Sequence, residues 1–503
     1  MKLSKTNFLI YRDCGKNAWI KIHRPDVYYK YPLSAFEEGI IETGNEVDKL
    51  ARELFPGGII VEDREDAEGT RELMDEETKV LYQPVFETGE YKMISDILVW
   101  NDKTKKYDLY EVKASNSGED GNKKKKNEIY ANDIAFQYIV LKDLDIPIGT
   151  LNLVRLNYEY VRGAELDLNQ LFTKEDFTEK VKEIEEQIRE EMRISREYLF
   201  QENEPDGHCS CITKGRNSHC TTFKYSNPKV PDYSVHDISR IGLSKRKLEE
   251  LVDSSIFDIL DVPDHLEFSE RQMNQIQVAK TKNTITDCEI LEDFLGEIKY
   301  PVSFLDYETF PSAIPRFAGY SPYNQIPFQF SLHILREPNG EVEHKEFIYT
   351  GKDNPDIPFA KALQEMLPSD GNVIVWNKSF EMNINKRLGE RNKEFEKFMI
   401  GVNDRVADLE DPFKHQAVVH HGFKGKTSIK YILPTLVPKL SYKVLDIQEG
   451  GTASNTWNEI STGKLDEKTA QEKTESLLRY CELDTLAMVE IFNYLLQTVK
   501  DRN

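Results

Sequence analysis

Two short runs restrict the fold more than any other feature of this chain. In the first, Phe304-Leu-Asp306-Tyr-Glu308, two carboxylates lie two residues apart in an apolar, aromatic stretch. In the second, Leu477-Leu-Arg-Tyr480-Cys-Glu-Leu-Asp484, a phenol and a carboxylate lie four apart in a helical pattern. A strand turns residues i and i+2 to one sheet face, so Asp306 and Glu308 share a face. A helix turns i and i+4 to one side, so Tyr480 and Asp484 share a side. For all four to serve one cleft, the strand and the helix must pack together in an α/β layer. Such a cleft is equipped to hold two divalent cations and to aim a water at a phosphodiester.

The surrounding patterns agree with that class. Residues 298–503 show strand patterns at 301–310, 326–334 and 344–349. A buried strand at 372–376 leads into a helix from Ser379, and a last helix is expected over about 468–498. Strands followed by helices in this order indicate α/β. Asn377 is placed to cap the helix that carries Glu381. In chain order Asp306, Glu308, Glu381, Tyr480 and Asp484 resemble the motifs of DEDD-type 3′–5′ exonucleases of ribonuclease H-like fold, in the subgroup with Tyr in the last motif. The resemblance implies that the four acids bind two metals about 4 Å apart, and that the phenol orients the attacking water. Glu381 stands where that family usually has Asp, one methylene shorter. Asp408 is a loop acid and an additional candidate. The segment Phe423-Lys-Gly-Lys-Thr-Ser-Ile-Lys430 resembles the lysine-bearing stretch that precedes the last motif and packs beside the substrate strand. A supporting role for Lys430 is implied.

A second constellation lies in residues 1–222. Strands are expected near 79–100 and 106–114, a helix near 131–143, and a long amphipathic helix over Lys174 to Leu199 with Phe177, Val181, Ile184, Ile188 and Met192 inward. Glu111 and Lys113 alternate on one side of a strand, with Asp96 on its hairpin partner. Two carboxylates can bind a cation, and a lysine beside them can stabilise developing charge. The trio resembles the PD-(D/E)XK nuclease motif, which implies that Asp96 and Glu111 ligate metal and Lys113 is catalytic. Leu3-Ser-Lys-Thr, opening a helix toward Cys14, resembles the start of RecB-family nuclease domains. Asp133-Ile-Ala-Phe-Gln137-Tyr138 resembles the supporting helix of that family. Asp48, four residues after Gly44, stands where many members carry a metal-binding His, and Asp can also ligate Mg²⁺ or Mn²⁺.

Six cysteines are present, three of them within Cys209 to Cys220. Cys14, Cys209, Cys211 and Cys220 can together hold a [4Fe–4S] cluster or a Zn²⁺. One early and three late cysteines resemble the iron–sulfur-stapled RecB-like nucleases. The C-x-C spacing departs from the usual C-x-x-C, and His208 and His219 adjoin the cysteines, so Zn²⁺ stays open as the alternative. Cys288 and Cys481 read as small buried residues.

The formal net charge of −22 argues against a nucleic-acid coat. It does not argue against a nuclease, because bound cations neutralise carboxylates locally. Local basicity occurs at Lys123–Lys126, taken as part of a polar loop over 115–128, at Lys245-Arg246-Lys247, and at Lys414, Lys424, Lys426 and Lys430. Residues 223–297 read as a helical linker or small helical module. No apolar run reaches membrane length. The N-terminus lacks the apolar core of a signal peptide, so a soluble, cytoplasmic protein is expected. The combined expectation is a metal-dependent nuclease in two parts. A restriction-endonuclease-like domain precedes an exonuclease-like one, an arrangement similar to an uncharacterised bacterial two-nuclease family. Its partner would be nucleic acid with a free 3′ end, DNA ahead of RNA, with Mg²⁺ or Mn²⁺ as cofactor. The alternative is a nucleic-acid-binding or scaffold protein whose nuclease sites have decayed, favoured by Asp48 and Glu381.

Overall fold

The computed structural model describes residues 1–30, 33–116 and 123–502. It is a mixed α/β protein that divides into two compact units. The first comprises Met1–Ile212, Asn217–Pro228 and Ser312–Asn324. The second comprises Thr213–Arg216, Lys229–Pro311 and Gln325–Asn503. These limits differ from 1–222, 223–297 and 298–503 at several places, two of them substantial. Residues 312–324 belong with the first unit, where Ala313 and Tyr323 join the apolar cluster around Val47, Ala51 and Phe55. The helical segment 229–297 belongs with the second unit and has its own small core of Val235, Ile241, Leu248, Leu251 and Ile276.

The first unit is built on a six-stranded mixed sheet. Its strand order is Ile59–Ile60, Val80–Tyr82, Ile97–Asn101, Lys106–Asn116, Ile148–Leu156 and Phe172–Asp176. Strand alternation gives this sheet two apolar faces. Leu98, Leu109, Leu151 and Leu153 face one core with helices Lys5–Asp13, Lys123–Asp143 and Thr178–Leu199. Ile97, Val112 and Val154 face another, with helix Ala35–Arg52. The long amphipathic helix begins at Thr178, not at Lys174, because Phe172–Asp176 pairs antiparallel with Ile148–Leu156 as an edge strand. Val181, Ile188 and Met192 are fully buried along it, as the 3.6-residue period requires. The lysine run Lys123–Lys126 forms the first turn of helix Lys123–Asp143 and is not loop; residues 117–122 of that expected loop lie outside the described residues.

The second unit has a five-stranded sheet ordered Val342–Ile348, Gln325–Leu335, Val302–Pro311, Asn372–Val375 and Val406–Asp408. The first two pairings are antiparallel and the last two parallel. Leu305, Tyr307, Phe330 and Leu332 point to one core with helices Asp356–Met366 and Lys378–Arg391. The alternate residues Phe304, Asp306 and Glu308 take the other face, where the 34-residue helix Glu467–Lys500 packs, with Phe304 against Phe492 at 5.5 Å. A register shift follows Glu308 directly, and such a bulge re-aims the strand end. Among the described residues, no helix is long and apolar enough to cross a membrane.

Candidate functional site

In the second unit the strand Val302–Pro311 supplies Asp306 and Glu308, and the helix Glu467–Lys500 supplies Tyr480, Cys481 and Asp484. Glu308, Tyr480 and Asp484 are buried and Asp306 half-buried. One ligand atom each of Asp306, Glu308 and Cys481 lies within 4.8 Å of the others. The Cys481 thiol lies 3.8 Å from an Asp306 carboxylate oxygen. Tyr442, which the sequence patterns did not single out, donates its hydroxyl to Asp484 at 2.5 Å. Its ring lies 6.1 Å from that of Tyr480. Two phenols therefore flank the last carboxylate.

The electrostatics of this cluster are those of unpaired negative charge. Burial pushes the Asp306 carboxyl well above the usual range, and Asp484, Glu308 and Glu381 push the same way. Glu308 is raised by burial and then by Asp484, with Lys430 opposing. Burial lifts Asp484 to about 6, against the hydrogen bond from Tyr442 and the charge of Lys430. Burial also keeps the Tyr480 phenol protonated, far above its ordinary value. Glu381, in the first turn of helix Lys378–Arg391, is lifted to about 8 by burial, and Asp408 adds to the rise. Its Oε2 is buried with no hydrogen-bond partner. Like charges raise each other's pKa when no cation separates them. An acceptor-rich, charge-deficient pocket of this kind suits Mg²⁺ or Mn²⁺, which take oxygen ligands.

The expected cap on the Glu381 helix is corrected. Asn377 holds the N-cap position in a left-handed conformation (φ 72°), but its side chain makes no capping bond. Asp408 does the capping. Its carboxylate accepts from the backbone N–H of Asn377 at 3.0 Å and of Lys378 at 3.1 Å. It also takes the Glu410 N–H at 3.0 Å and the Lys414 ammonium at 3.1 Å. Fully engaged in this way, Asp408 holds the helix start and not a metal. Lys430 donates to the Gln448 carbonyl at 3.0 Å, and its charge reaches Glu308 and Asp484.

In the first unit Asp96, Glu111 and Lys113 do come together. The Asp96 carboxylate accepts the Val112 N–H at 2.7 Å. Lys113 donates to Glu111 at 2.6 Å and to Asp133 at 2.7 Å. Gln137 donates to Glu111 at 2.6 Å. Lys5 reaches Glu111 at 3.3 Å and Asp133 at 3.2 Å. Asp133 and Lys5 thus belong to the site, although the motifs that contain them gave neither a role. Burial lifts Glu111 to about 7, with the lysines opposing. Asp133 stays below the carboxylate range because Lys113 and Lys5 overcome its burial. Asp48 pairs with Arg52 and accepts from Gln83 at 3.3 Å. Its other oxygen, Oδ1, is buried without a partner, which suits a cation ligand. The Tyr138 ring lies 5.8 Å from the Lys142 ammonium.

The first unit also brings Cys14, Cys209, Cys211 and Cys220 into one buried group, with one sulfur of each within 4.8 Å of the others. These thiols can bind a metal. Cys14 joins helices Lys5–Asp13 and Gly15–His23, while Cys209 and Cys220 lie 4.0 Å apart. Hydrogen bonds from the other three thiols push Cys14 far below the usual thiol range. Asn227 donates to the Cys209 sulfur at 3.2 Å, and Asn17 binds the Thr222 hydroxyl at 2.9 Å, tying the late segment to the early helix. His208 is bound to Asn227 at 2.9 Å, and His219 stacks on Phe223 at 3.4 Å.

Comparison with known proteins adds little chemistry. Residues 303–428 match the family described as “Domain of unknown function (DUF2779)”. The match includes Asp306, Glu308 and Glu381 and ends before Tyr480. The chain is 25% identical over 226 residues to the uncharacterized protein MG366 of Mycoplasma genitalium, covering 41% of this chain and 33% of that protein. It is 24% identical over 214 residues to the MG366 homolog of Mycoplasma pneumoniae, covering 39% of this chain and 32% of the relative. The chain therefore spans about a third of the length of these relatives. No solved structure matches it.

Proposed function

We propose that the protein is a metal-dependent nuclease whose principal site is the carboxylate cluster of the second unit. The observation that carries this reading is the buried, mutually repelling set Asp306, Glu308 and Asp484, with a protonated Tyr480 beside it. Buried carboxylates persist only when protonated, paired or bound to cations. Asp306, Glu308, Glu381 and Asp484 would hold Mg²⁺ or Mn²⁺, which supplies Lewis acidity to a phosphodiester. The Tyr480 hydroxyl orients the attacking water, and Tyr442 fixes the rotamer of Asp484. The substrate is a nucleic acid trimmed from its 3′ end, DNA ahead of RNA, as the resemblance to DEDD-type exonucleases implies.

A basic cleft in the same unit supports a polyanionic substrate. It has a volume of about 830 Å³, and Arg240, Lys247, Arg271 and Lys414 line it with Ser244, Ser269 and Thr427. None of its lining residues is Asp or Glu. Lys414, one of its lining residues, also pairs with Asp408, whose charge acts on Glu381. Phosphate contacts of this kind position a strand without reading its sequence.

The first unit is proposed as a RecB-like site on the Asp96, Glu111 and Lys113 arrangement. Here one observation favours the alternative of a binding role: Lys5 and Lys113 already neutralise Glu111 and Asp133. Its cysteine group is proposed to hold a [4Fe–4S] cluster, as the resemblance implies, with Zn²⁺ as the alternative for the same four thiols.

The test is single-turnover trimming of an end-labelled strand against Mn²⁺ concentration. Tyr480→Phe should slow trimming about 100-fold with Mn²⁺ affinity nearly unchanged, a loss of positioning alone. Unchanged trimming in both Tyr480→Phe and Asp484→Ala would remove this site from the account.

A further inference from the structure

We propose that His333, His344 and Glu482 form a separate Zn²⁺-class cation site that pins the C-terminal helix to the sheet. His333 and His344 are direct cross-strand partners on Gln325–Leu335 and Val342–Ile348. Their rings stack with centroids 4.5 Å apart. Glu482 comes from helix Glu467–Lys500, and its carboxylate lies 3.7 Å from His344 Nδ1. One ligand atom from each of the three residues lies within 4.8 Å of the other two.

The surroundings of the two rings are those of metal-bound imidazoles. His333 Nδ1 is hydrogen-bonded to the Thr485 hydroxyl at 2.8 Å. His344 Nε2 is hydrogen-bonded to the Ser331 hydroxyl at 3.0 Å. The two hydroxyls are themselves 2.7 Å apart. One nitrogen of each ring is thus committed to a linked pair of hydroxyls, and the opposite nitrogens, His333 Nε2 and His344 Nδ1, are the ligand atoms. Metal-ligating histidines are oriented in this way by a partner on the second nitrogen. Two imidazoles and one carboxylate suit a borderline-soft dication such as Zn²⁺, whereas Mg²⁺ prefers oxygen alone. His344 and Glu482 keep 26% and 45% of their side-chain surface exposed, so solvent can complete a tetrahedral shell.

A simple His344–Glu482 ion pair is the competing account. At this exposure such a pair contributes little, and it leaves buried His333 and the hydroxyl pair unexplained. The helix also divides its labour. Tyr480, Cys481 and Asp484 face the acidic strand, while Glu482 and Thr485, three apart, face the two histidine strands. An ion here would join the edge strand Val342–Ile348 and its neighbour Gln325–Leu335 to the helical turn between Tyr480 and Asp484. The site does not depend on the nuclease reading and stands if that reading fails.

The experiment titrates the full-length protein with Zn²⁺ alone, in parallel with His344→Ala, Glu482→Gln and Thr485→Val, and reads bound zinc and Tm. The wild type should hold one equivalent more than His344→Ala, whatever the cysteine group retains, and its Tm should rise with Zn²⁺ more than that of His344→Ala. Thr485→Val, which removes the hydroxyl that orients His333 and meets that of Ser331, should weaken binding about 10–100-fold. Glu482→Gln, at a part-exposed position, keeps the fold and should lower zinc affinity. Equal zinc content and equal Tm shifts in wild type, His344→Ala and Glu482→Gln would overturn the proposal.

Discussion

In the first unit, the ammonium groups of Lys5 and Lys113 lie between 2.6 and 3.3 Å from Glu111 and Asp133. In the second, Asp306, Glu308 and Asp484 have two phenols and a thiol for neighbours, and Lys430 acts on them from beside the Gln448 carbonyl. The two clusters face the same problem, buried negative charge, and relieve it differently. One carries its own cations. The other, among the described residues, has no ammonium in contact with its carboxylates and so depends on protons or on ions from solution. Raised carboxyl pKa values are common to both, Glu111 being lifted to about 7. Burial of acids alone therefore does not mark a metal centre; the absence of internal cations beside them is the stronger mark. By that measure the second site calls more strongly for divalent ions.

The largest effect expected from this contrast is on rate. Asp306→Asn should lower Mn²⁺-dependent 3′ trimming about 10³-fold, corresponding to several kcal/mol of charge stabilisation. Lys113→Ala should leave that trimming intact, because the two sites are built in different units and share no residue. Loss of the same single activity in both variants would break the comparison.

Stability should change in opposite directions at the two sites. Glu111→Gln leaves two half-buried lysines short of a partner and should destabilise the protein by about 3 kcal/mol in urea melts. Glu308→Gln removes an unpaired charge and should raise the stability of the metal-free protein. If both variants are destabilised alike, the second cluster is not electrostatically unpaired.

The pH dependence follows from the same shifts. Glu381 rises from 4.5 to about 8 and Asp484 from 3.8 to about 6 on folding. The folded state holds these protons more tightly, so their stabilising contribution is complete below about pH 4 and is lost as pH climbs through about 8. Asp133 works in the opposite sense: its folded value is depressed, so its contribution is present above the ordinary carboxylate range and lost on acidification. Metal-free protein should lose stability in the second unit from pH 4 to 8, and Mn²⁺ should flatten that slope. A slope unchanged by Mn²⁺ would detach the cluster from metal binding.

A smaller effect sharpens the contrast. Lys5→Met removes a cation that competes with metal and should raise Mn²⁺ affinity in the first unit about 10-fold, by calorimetry. An equal or weaker affinity would make Lys5 part of a site that never takes a metal.

Local periodicity made much of this legible. The two-residue spacing of Asp306 and Glu308 and the four-residue spacing of Tyr480 and Asp484 translate directly into shared faces, because strand and helix periods are properties of the backbone. The strand Val302–Pro311 and the last helix follow from the same short-range reading, whereas grouping Cys14 with Cys209, Cys211 and Cys220 rests on the resemblance to iron–sulfur-stapled nucleases. Where it failed, a distant partner decided. Phe172–Asp176 became strand because Ile148–Leu156 offered an edge. Asn377 lost its capping role to Asp408, 31 residues further on.

The pattern of residue types and spacings thus determined the fold class and which acids are candidates for catalysis. Only the tertiary structure decided the charge state of each cluster, because hydrogen bonds and Coulomb forces act through space, between residues far apart in the chain. Lys5 reaches Glu111 across 106 positions, and Thr485 reaches His333 across 152. No local period encodes either approach, and those approaches separate a cluster that is already neutralised from one that still calls for a cation.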